Sequence, residues 1–169
     1  MSSFVPRLWS IAYQNKLIHP SQLEQHTYQL RQQHKTIVTL NGSFDLLHAG
    51  HLQIIFEASQ VGDILIVALN TDHSIQQYKS PKRPIIPLDY RLQMMAALEF
   101  VDYVTWFEET DPRRLLSMIK PDIHVNGAEY GERCIEAETV RSHGGKIHIV
   151  PLVPGLSTSA IIQKIREEG

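Results

Sequence analysis

The sequence predicts an α/β fold, an open parallel five-stranded sheet with helices on both faces. Short apolar runs rich in β-branched residues, typical of buried parallel strands, recur along the chain. Segments with the apolar spacing of amphipathic helices separate these runs, and this alternation is the pattern of a parallel sheet covered by helices. The predicted strands are residues 36–40, 64–69, 103–107, 123–126 and 146–150.

Helices are predicted between these strands, and several have clear end signals. Asp111 and Pro112 have the form of an N-cap followed by proline at the first helical position, and Pro121 stops that helix. Gly144 and Gly145 end the helix before the last strand. The predicted helices cover residues 51–59, 88–100, 112–119 and 132–142, with a last helix that begins at Ser157 or Thr158.

Residues 1–35 are predicted to form an N-terminal helical extension to a main domain of residues 36–169. Residues 21–33 have helical spacing but are rich in Gln and His, with a thin apolar stripe of Leu23, Tyr28 and Leu30. We therefore expect this helix to pack on the edge of the domain or on a partner chain, which is compatible with a homo-oligomer. The extension is too short to be a catalytic module.

The composition favours one well-buried domain that binds small anions. The chain has 169 residues, of which 43% are hydrophobic, and its formal net charge is −2, so no general electrostatic field would hold nucleic acid. A single cysteine, Cys134, excludes an intramolecular disulfide. No apolar run approaches the ~20 residues of a membrane span, and no signal peptide is evident, so we expect no membrane partner and a cytoplasmic protein.

Residues 39–51 have the outline of a phosphate site. An apolar strand ends there in a glycine-containing loop, and a helix that begins after the loop directs backbone N–H groups and its positive dipole end at an anion. His48 and His51 are three residues apart, so both imidazoles lie on one face of the first turn. A catalytic zinc ion would need a third ligand, and only Asp45 lies nearby in sequence. The pattern therefore favours phosphate over metal.

Residues 41–51 resemble the HxGH signature of the small nucleotidyltransferases, which transfer a nucleotidyl group from a nucleoside triphosphate to a phosphate monoester. Within that superfamily they are most similar to the adenylyltransferase domain of bacterial heptose 1-phosphate enzymes, which make the ADP-heptose used for lipopolysaccharide. The resemblance implies a Rossmann-like nucleotidyltransferase fold and covers about residues 36–166. It continues through residues 79–84, Arg91, residues 125–130 and residues 155–159.

Loops that follow several strands are expected to meet in one crevice, because ligands of such sheets bind beyond the carboxyl ends of the strands. The resemblance implies that the catalytic residues are His48, His51, Lys79 and Arg91. It implies nucleotide binding by Ser43, Phe44, Gly50, Asn126, Gly127, Glu129, Ser157 and Thr158. It implies substrate binding by Asn41, Asp45 and Asn70. No protein ligand of a metal is predicted, and Mg²⁺ is expected to arrive with the triphosphate.

The cations after the second strand have two interpretations. Lys79, Lys82 and Arg83 lie in a proline-containing loop, which charge alone would class as an ordinary solvated surface; the resemblance favours a phosphate contact for Lys79. Arg91 lies in the first turns of a helix, where a cation opposes the helix dipole. We therefore expect either Asp89 or a bound phosphate as its partner, with phosphate preferred.

Two departures from the family patterns leave the substrates open. Cytidylyltransferases carry an arginine before the motif that matches residues 155–159, and this chain lacks it, which favours ATP over CTP. The heptose enzymes carry lysine where this chain has Asn126, which can hydrogen-bond a phosphate but supplies no charge. The sugar phosphate is therefore in doubt.

Three functions follow. The first is transfer of AMP from ATP to a sugar phosphate such as heptose 1-phosphate. The second is a cytidylyltransferase that uses CTP and a polyol or amino-alcohol phosphate. The third is a non-catalytic nucleotide-binding regulator, against which the intact His48 and His51 argue.

Overall fold

A computed structural model of the chain describes residues 8–151, 154–155 and 157–168. It contains an all-parallel sheet with the strand order β3-β2-β1-β4-β5, which confirms the predicted fold class and strands. The strands are β1 (Ile37–Gly42), β2 (Ile64–Asn70), β3 (Tyr103–Phe107), β4 (Ile123–Gly127) and β5 (Lys146–Val150).

The strand order reverses beside β1. The chain proceeds from β1 outward through β2 to β3, then returns to the other side of β1 and proceeds outward through β4 to β5. Leu40 of β1 is paired with Val67 of β2 and with Val125 of β4. The carboxyl ends of β1 and β4 therefore form the switch point at which sheets of this kind bind ligands.

Helices cover the sheet, and some boundaries differ from prediction. The helices are α1 (Trp9–Ala12), α2 (Leu23–Gln32), α3 (Ala49–Ser59), α4 (Asp72–Tyr78), α5 (Leu88–Ala96), α6 (Arg113–Ile119), α7 (Ala137–Ser142) and α8 (Thr158–Glu168). The sequence interpretation missed α4, which begins where Thr71 caps the Ser74 N–H. It made α7 too long, because residues 132–136 form turns that bring Glu136 into the interior. It also extended α5 to residue 100. The helix ends at Ala96, and the Leu98 carbonyl beyond this end accepts a hydrogen bond from Lys16.

Apolar side chains form a core on each face of the sheet. Alternate residues of β1 supply the two cores, since Val38 belongs to one cluster and Ile37 to the other. The helix α2 completes the second cluster with Leu23 and Leu30, so this part of the N-terminal segment packs on the main domain. The predicted inward position of Tyr28 is wrong, because that side chain is 62% exposed.

The inward stripe of α2 instead contains Thr27, which follows Leu23 by one helical turn. Its buried hydroxyl donates to the Leu23 carbonyl at 2.8 Å, so the helix can bury this polar side chain without leaving it unpaired. Among residues 8–151, 154–155 and 157–168, no helix combines the length and the hydropathy needed to cross a membrane.

Candidate active site

A cavity of about 610 Å³ opens at the carboxyl ends of β1 and β4. Its volume falls within the usual range for small-molecule sites. The predicted site residues that line it are Asn41, Ser43, Phe44, His48, Gly50, His51, Lys79, Asn126, Gly127, Glu129, Ser157 and Thr158. Three predicted site residues do not line the cavity and lie behind the residues that do, namely Asp45, Asn70 and Arg91.

The two histidines lie side by side at the start of α3. His48 is the N-cap residue, and its side chain accepts a hydrogen bond at 3.4 Å from the backbone N–H of His51 through Nδ1. The rings stack with their centroids 3.8 Å apart and an interplanar angle of 21°. Because Nδ1 of His48 accepts, the proton of its neutral form is on Nε2. The stacking of the rings confirms the prediction that both imidazoles lie on one face of the first turn.

The environment favours the neutral form of both imidazoles when no ligand is bound. Burial lowers the pKa of His48. Burial lowers the pKa of His51 to about 4, with further contributions from the nearby His48 and Lys79. Polyphosphate would bring negative charge close to the rings and favour the protonated forms. The charge state of the two histidines therefore depends on occupancy of the cavity.

Cations lie on the side of the cavity that belongs to β2. Lys79 directly follows α4 and its Nζ donates to Ser43 Oγ at 2.8 Å. Burial lowers the pKa of Lys79, and the neighbouring Arg83 adds to this effect. Arg83 also lines the cavity, whereas Lys82 is exposed outside it. Lys79 therefore lines the cavity, whereas Lys82 lies in the solvated part of the loop.

Asp45 holds this cationic loop in place rather than facing the cavity. Its carboxylate is buried and accepts from Arg83 Nε at 2.7 Å. It also accepts backbone N–H groups from Ile85 and Ile86, each at 2.8 Å. Substrate binding was predicted for Asp45 from its position in the motif. That assignment is corrected here, because these contacts occupy the carboxylate within the protein.

Arg91 is also an anchor behind the wall. Its guanidinium is fully buried and donates to the carbonyls of Ser43, Asn70 and Ile86 at 2.7–2.9 Å. Its charge partner is Asp72, at 2.6 Å. The expectation of Asp89 or a phosphate is therefore wrong.

Asp72 also explains how a cation is tolerated at the start of α5. Its Oδ1 accepts the backbone N–H of Leu88, the first residue of that helix, at 2.9 Å. A carboxylate from α4 thus supplies the negative charge that the helix dipole favours there.

Asn70 is likewise occupied within the protein. It is 4% exposed, and its amide donates to Ser74 Oγ at 3.0 Å, while its backbone carbonyl accepts from Arg91. The substrate contact predicted for Asn70 is corrected, since this side chain supports the start of α4. Although Asn70 ends a strand as predicted, it lies behind the residues that line the cavity.

The opposite side of the cavity, at the end of β4, offers hydrogen-bond acceptors. Asn126 is 5% exposed, and its Nδ2 donates to Glu136 Oε1 at 3.0 Å, so the amide nitrogen is not directed at a phosphate as predicted. The Glu129 carboxylate packs on Gly127, so a side chain at position 127 would displace this carboxylate. Tyr130 also lines this side.

Sequence reasoning assigned no role to Glu136 or Tyr130, and it left Arg83 with the solvated-loop interpretation. Tyr130 and Arg83 lie inside the blocks that carry the family resemblance, which was a usable signal. Glu136 gave no signal, because it resembles a solvated residue of the predicted polar helix.

The start of α8 closes a third side of the cavity. Ser157 Oγ accepts the backbone N–H of Ala160 at 3.1 Å and so caps the predicted last helix, and Ser157 and Thr158 both line the cavity. Leu152, Val153 and Leu156, which belong to the comparison with cytidylyltransferases, lie outside the described residues.

The residues of the cavity fit a magnesium ion that is held mainly by a bound triphosphate. Within the described part of the chain, no group of three or more His, Cys, Asp or Glu could hold a metal ion. Oxygen atoms are nevertheless present, namely the Glu129 carboxylate and Asn41 Oδ1, which is buried with no hydrogen-bond partner among the described residues. Mg²⁺ commonly uses one or two protein oxygens and completes its shell with phosphates and water.

Comparisons with known proteins agree with this geometry. The model of the family described as "Cytidylyltransferase-like" matches residues 39–164. The bifunctional protein HldE of Hahella chejuensis is 44% identical over 133 residues, which are 78% of this chain and 28% of that protein. The bifunctional protein HldE of Trichlorobacter lovleyi is 45% identical over 134 residues, which are 79% and 27% of the two chains. The chain thus spans less than a third of the length of these relatives.

Solved structures show the same fold. The lipopolysaccharide core biosynthesis protein from Thermoplasma volcanium superposes with a TM-score of 0.57 at 30% identity, over 70% of this chain and 97% of that one. The pantoate–β-alanine ligase of Francisella tularensis has a TM-score of 0.58 at 18% identity, over 89% and 77%, which supports the fold alone. The resemblance found in the sequence is confirmed, and the chain belongs to the cytidylyltransferase-like family.

Proposed function

We propose that this chain is a nucleotidyltransferase that transfers AMP from ATP to a sugar phosphate resembling heptose 1-phosphate and releases pyrophosphate. One observation carries the proposal. The stacked His48 and His51 share a cavity wall with Lys79 and Arg83 at the switch point of the sheet. Such a wall suits a polyphosphate, because it combines a helix start, imidazole donors and cations.

The proposed reaction needs no protein nucleophile. An oxygen of the sugar phosphate attacks the α-phosphorus of ATP in line, a new P–O bond forms, and the bond to the leaving pyrophosphate breaks. Negative charge on the transferred and leaving phosphates is the main obstacle. Preorganised donors that face this charge lower the barrier without a reorganisation cost at the moment of reaction.

Each residue of the wall has a defined part in this proposal. His48 and His51 donate hydrogen bonds to phosphate oxygens, and Lys79 and Arg83 neutralise charge on the leaving pyrophosphate. Gly50 lies between the two histidines in sequence and lines the same cavity, so a side chain there would occupy ligand space. Mg²⁺ bound with the triphosphate would add charge neutralisation on its oxygens.

The choice of substrates is supported by the relatives. The chain is similar to two proteins named HldE and to a lipopolysaccharide core biosynthesis protein, which favours a sugar phosphate of that pathway. The absence of the cytidylyltransferase arginine favours ATP. Both proposed substrates are cytoplasmic metabolites, so the proposal places the protein in the cytoplasm.

A pyrophosphate-release assay tests the proposal. ATP and CTP are each combined with heptose 1-phosphate, glycerol 3-phosphate and ethanolamine phosphate. We expect the highest kcat/KM with ATP and heptose 1-phosphate, and at least ~10-fold discrimination against CTP, because a site matched to one base leaves polar groups unpaired with another.

Two results would contradict it in different ways. Faster release with CTP across the phosphate monoesters would replace the assignment by a cytidylyltransferase. A protein that binds nucleotide but releases no pyrophosphate with any pair would be a regulator.

A further inference from the structure

A buried polar network lies directly behind the β4 side of the cavity. Glu136 is 5% exposed and lies in the turn before α7, where its Oε1 accepts from Asn126 Nδ2 at 3.0 Å. His124, fully buried in β4, has its Nε2 3.4 Å from the same oxygen, and its Nδ1 is 2.8 Å from Thr39 Oγ1 of β1. The network therefore links the sheet to a residue that lines the cavity.

Glu136 is ionised in this network at neutral pH. Burial alone raises the pKa of its carboxyl, but the contacts with His124 and Asn126 outweigh burial and hold the pKa below its ordinary value. A carboxylate can only accept hydrogen bonds, so the NH₂ group of Asn126 must face it. The carbonyl oxygen Oδ1 of Asn126 therefore points away from Glu136.

This arrangement gives the two sides of the cavity opposite chemistry. His48, His51, Lys79 and Arg83 offer donors and positive charge on one side. On the β4 side Glu129 contributes a carboxylate, and Glu136 adds a second one behind Asn126. Phosphate that carries no bound cation is repelled from the β4 side, whereas a neutral group that donates a hydrogen bond is accepted there.

We propose that Glu136 is a positioning residue that fixes the Asn126 amide so that its oxygen accepts a hydrogen bond from an amino or hydroxyl group of the ligand. This inference rests on the proposed nucleotidyl transfer and assigns the neutral half of a substrate to the β4 side. The donor is either the amino group of the nucleobase or a hydroxyl group of the sugar phosphate.

The test compares the binding of ATP and of its 6-deamino analogue, purine ribonucleoside triphosphate, by calorimetry. We expect the wild-type protein to bind ATP about 10-fold more tightly, the effect of one buried hydrogen-bonding group left unpaired. Glu136→Gln should reduce this ratio to near unity, because a glutamine amide can donate as well as accept and no longer fixes Asn126.

A double variant tests the same hydrogen bond by restoring it instead of removing it. Asn126→Asp combined with Glu136→Gln should restore tight ATP binding, because the new glutamine donates to the new carboxylate and an oxygen still serves the ligand. Thr39→Val is the matched control. It breaks another hydrogen bond of the same network, so it should lower the Tm and leave the ATP ratio unchanged.

The same variants distinguish the two possible donors. If the donor is a sugar hydroxyl, the wild-type protein binds both nucleotides alike, and Glu136→Gln raises the KM for heptose 1-phosphate about 10-fold with the KM for ATP unchanged. Unchanged ratios and KM values in folded Glu136→Gln would overturn the inference. An equal loss in Thr39→Val would also overturn it, since the effect would then come from the packing of the sheet.

Failure of the proposed function gives a different result. A wild-type protein that binds ATP but shows no turnover would refute the transfer reaction and leave the binding ratio as the test of Glu136. A wild-type protein that binds neither nucleotide would refute both.

Discussion

Two layers of charged residues lie on the cationic side of the cavity, and they use their hydrogen-bonding groups differently. The proposed phosphate wall, His48, His51, Lys79 and Arg83, lines the cavity, and burial lowers the pKa of the first three of these groups. The anchor layer, Asp45, Arg91 and Asp72, lies behind it and is joined by short contacts of 2.6–2.9 Å to partners within the protein. The wall keeps charge-binding capacity for a ligand, whereas the anchor layer uses its capacity to hold loops.

This difference has a physical cause. A buried charge is tolerated only when it is paired and hydrogen-bonded, so Asp45 and Arg91 must find their partners during folding. The groups of the phosphate wall instead keep hydrogen-bonding capacity that is used only when a ligand brings negative charge. Substitutions in the two layers should therefore fail in different assays.

Removal of Arg91 should give the largest effect, and the effect should be on stability. Arg91→Ala leaves Asp72 and three backbone carbonyls without their donor, so we expect a loss of about 3 kcal/mol or more in the free energy of unfolding, measured in urea. Arg113→Ala is the matched control, because its pair with Asp111 is on the surface and should leave stability unchanged. A stable Arg91→Ala protein with a raised KM for ATP would move Arg91 into the phosphate wall.

Removal of His51 should affect turnover and not stability. His51→Ala should lower kcat by about 10² to 10³, the usual effect of losing one preorganised donor, while the urea midpoint stays close to wild type. His73→Ala, an exposed histidine of α4, provides the control. A purified, folded His51→Ala enzyme with near-normal kcat would exclude His51 from the mechanism.

The fold could be predicted almost completely from the sequence, because strands and helices depend on local periodicity. The cavity-facing residues of the motif could also be predicted, since loops after parallel strands converge at one edge of a sheet. The sequence could not predict whether each residue lines the cavity or lies behind the residues that line it. Arg91 meets Asp72 and the carbonyl of Ser43 only through tertiary packing, and Asp45 meets the backbone of Ile85 in the same way.

Glu136 illustrates a second limit. A single glutamate before a polar helix has the same sequence pattern whether it faces solvent or the interior, and only the turn at residues 132–136 decides between them. The approach of Asn126 and His124 from β4 then makes it a buried carboxylate.

Removal of Lys79 should give a smaller effect that is specific for the nucleotide. Lys79→Ala should raise the KM for ATP about 10-fold through loss of one charge-assisted hydrogen bond. Lys82→Ala is the control within the same loop, because Lys82 is exposed outside the cavity and should change nothing. Similar KM values for the two variants would return Lys79 to the class of solvated surface cations.

The smallest effect, proton uptake on ATP binding, tests the phosphate wall most directly. Without ligand, the pKa of His51 is about 4, against an ordinary value of 6.5, so at pH 6 the folded protein holds this imidazole neutral. The same shift makes stability fall as the pH is lowered from 6.5 towards 4, because the unfolded chain then binds more protons than the native state. Polyphosphate beside the ring raises the pKa again, so ATP binding should draw a proton from solution.

Calorimetry at pH 6 in buffers of different ionisation enthalpy measures this uptake. We expect the wild-type protein to take up a substantial fraction of one proton more than His51→Ala on binding ATP. The subtraction removes protons released by the nucleotide itself, since those are common to both proteins. Equal values would mean that His51 stays neutral and donates as an uncharged imidazole. The positive charge of the wall would then come from Lys79 and Arg83, and the pH dependence of ATP affinity should be the same in both proteins.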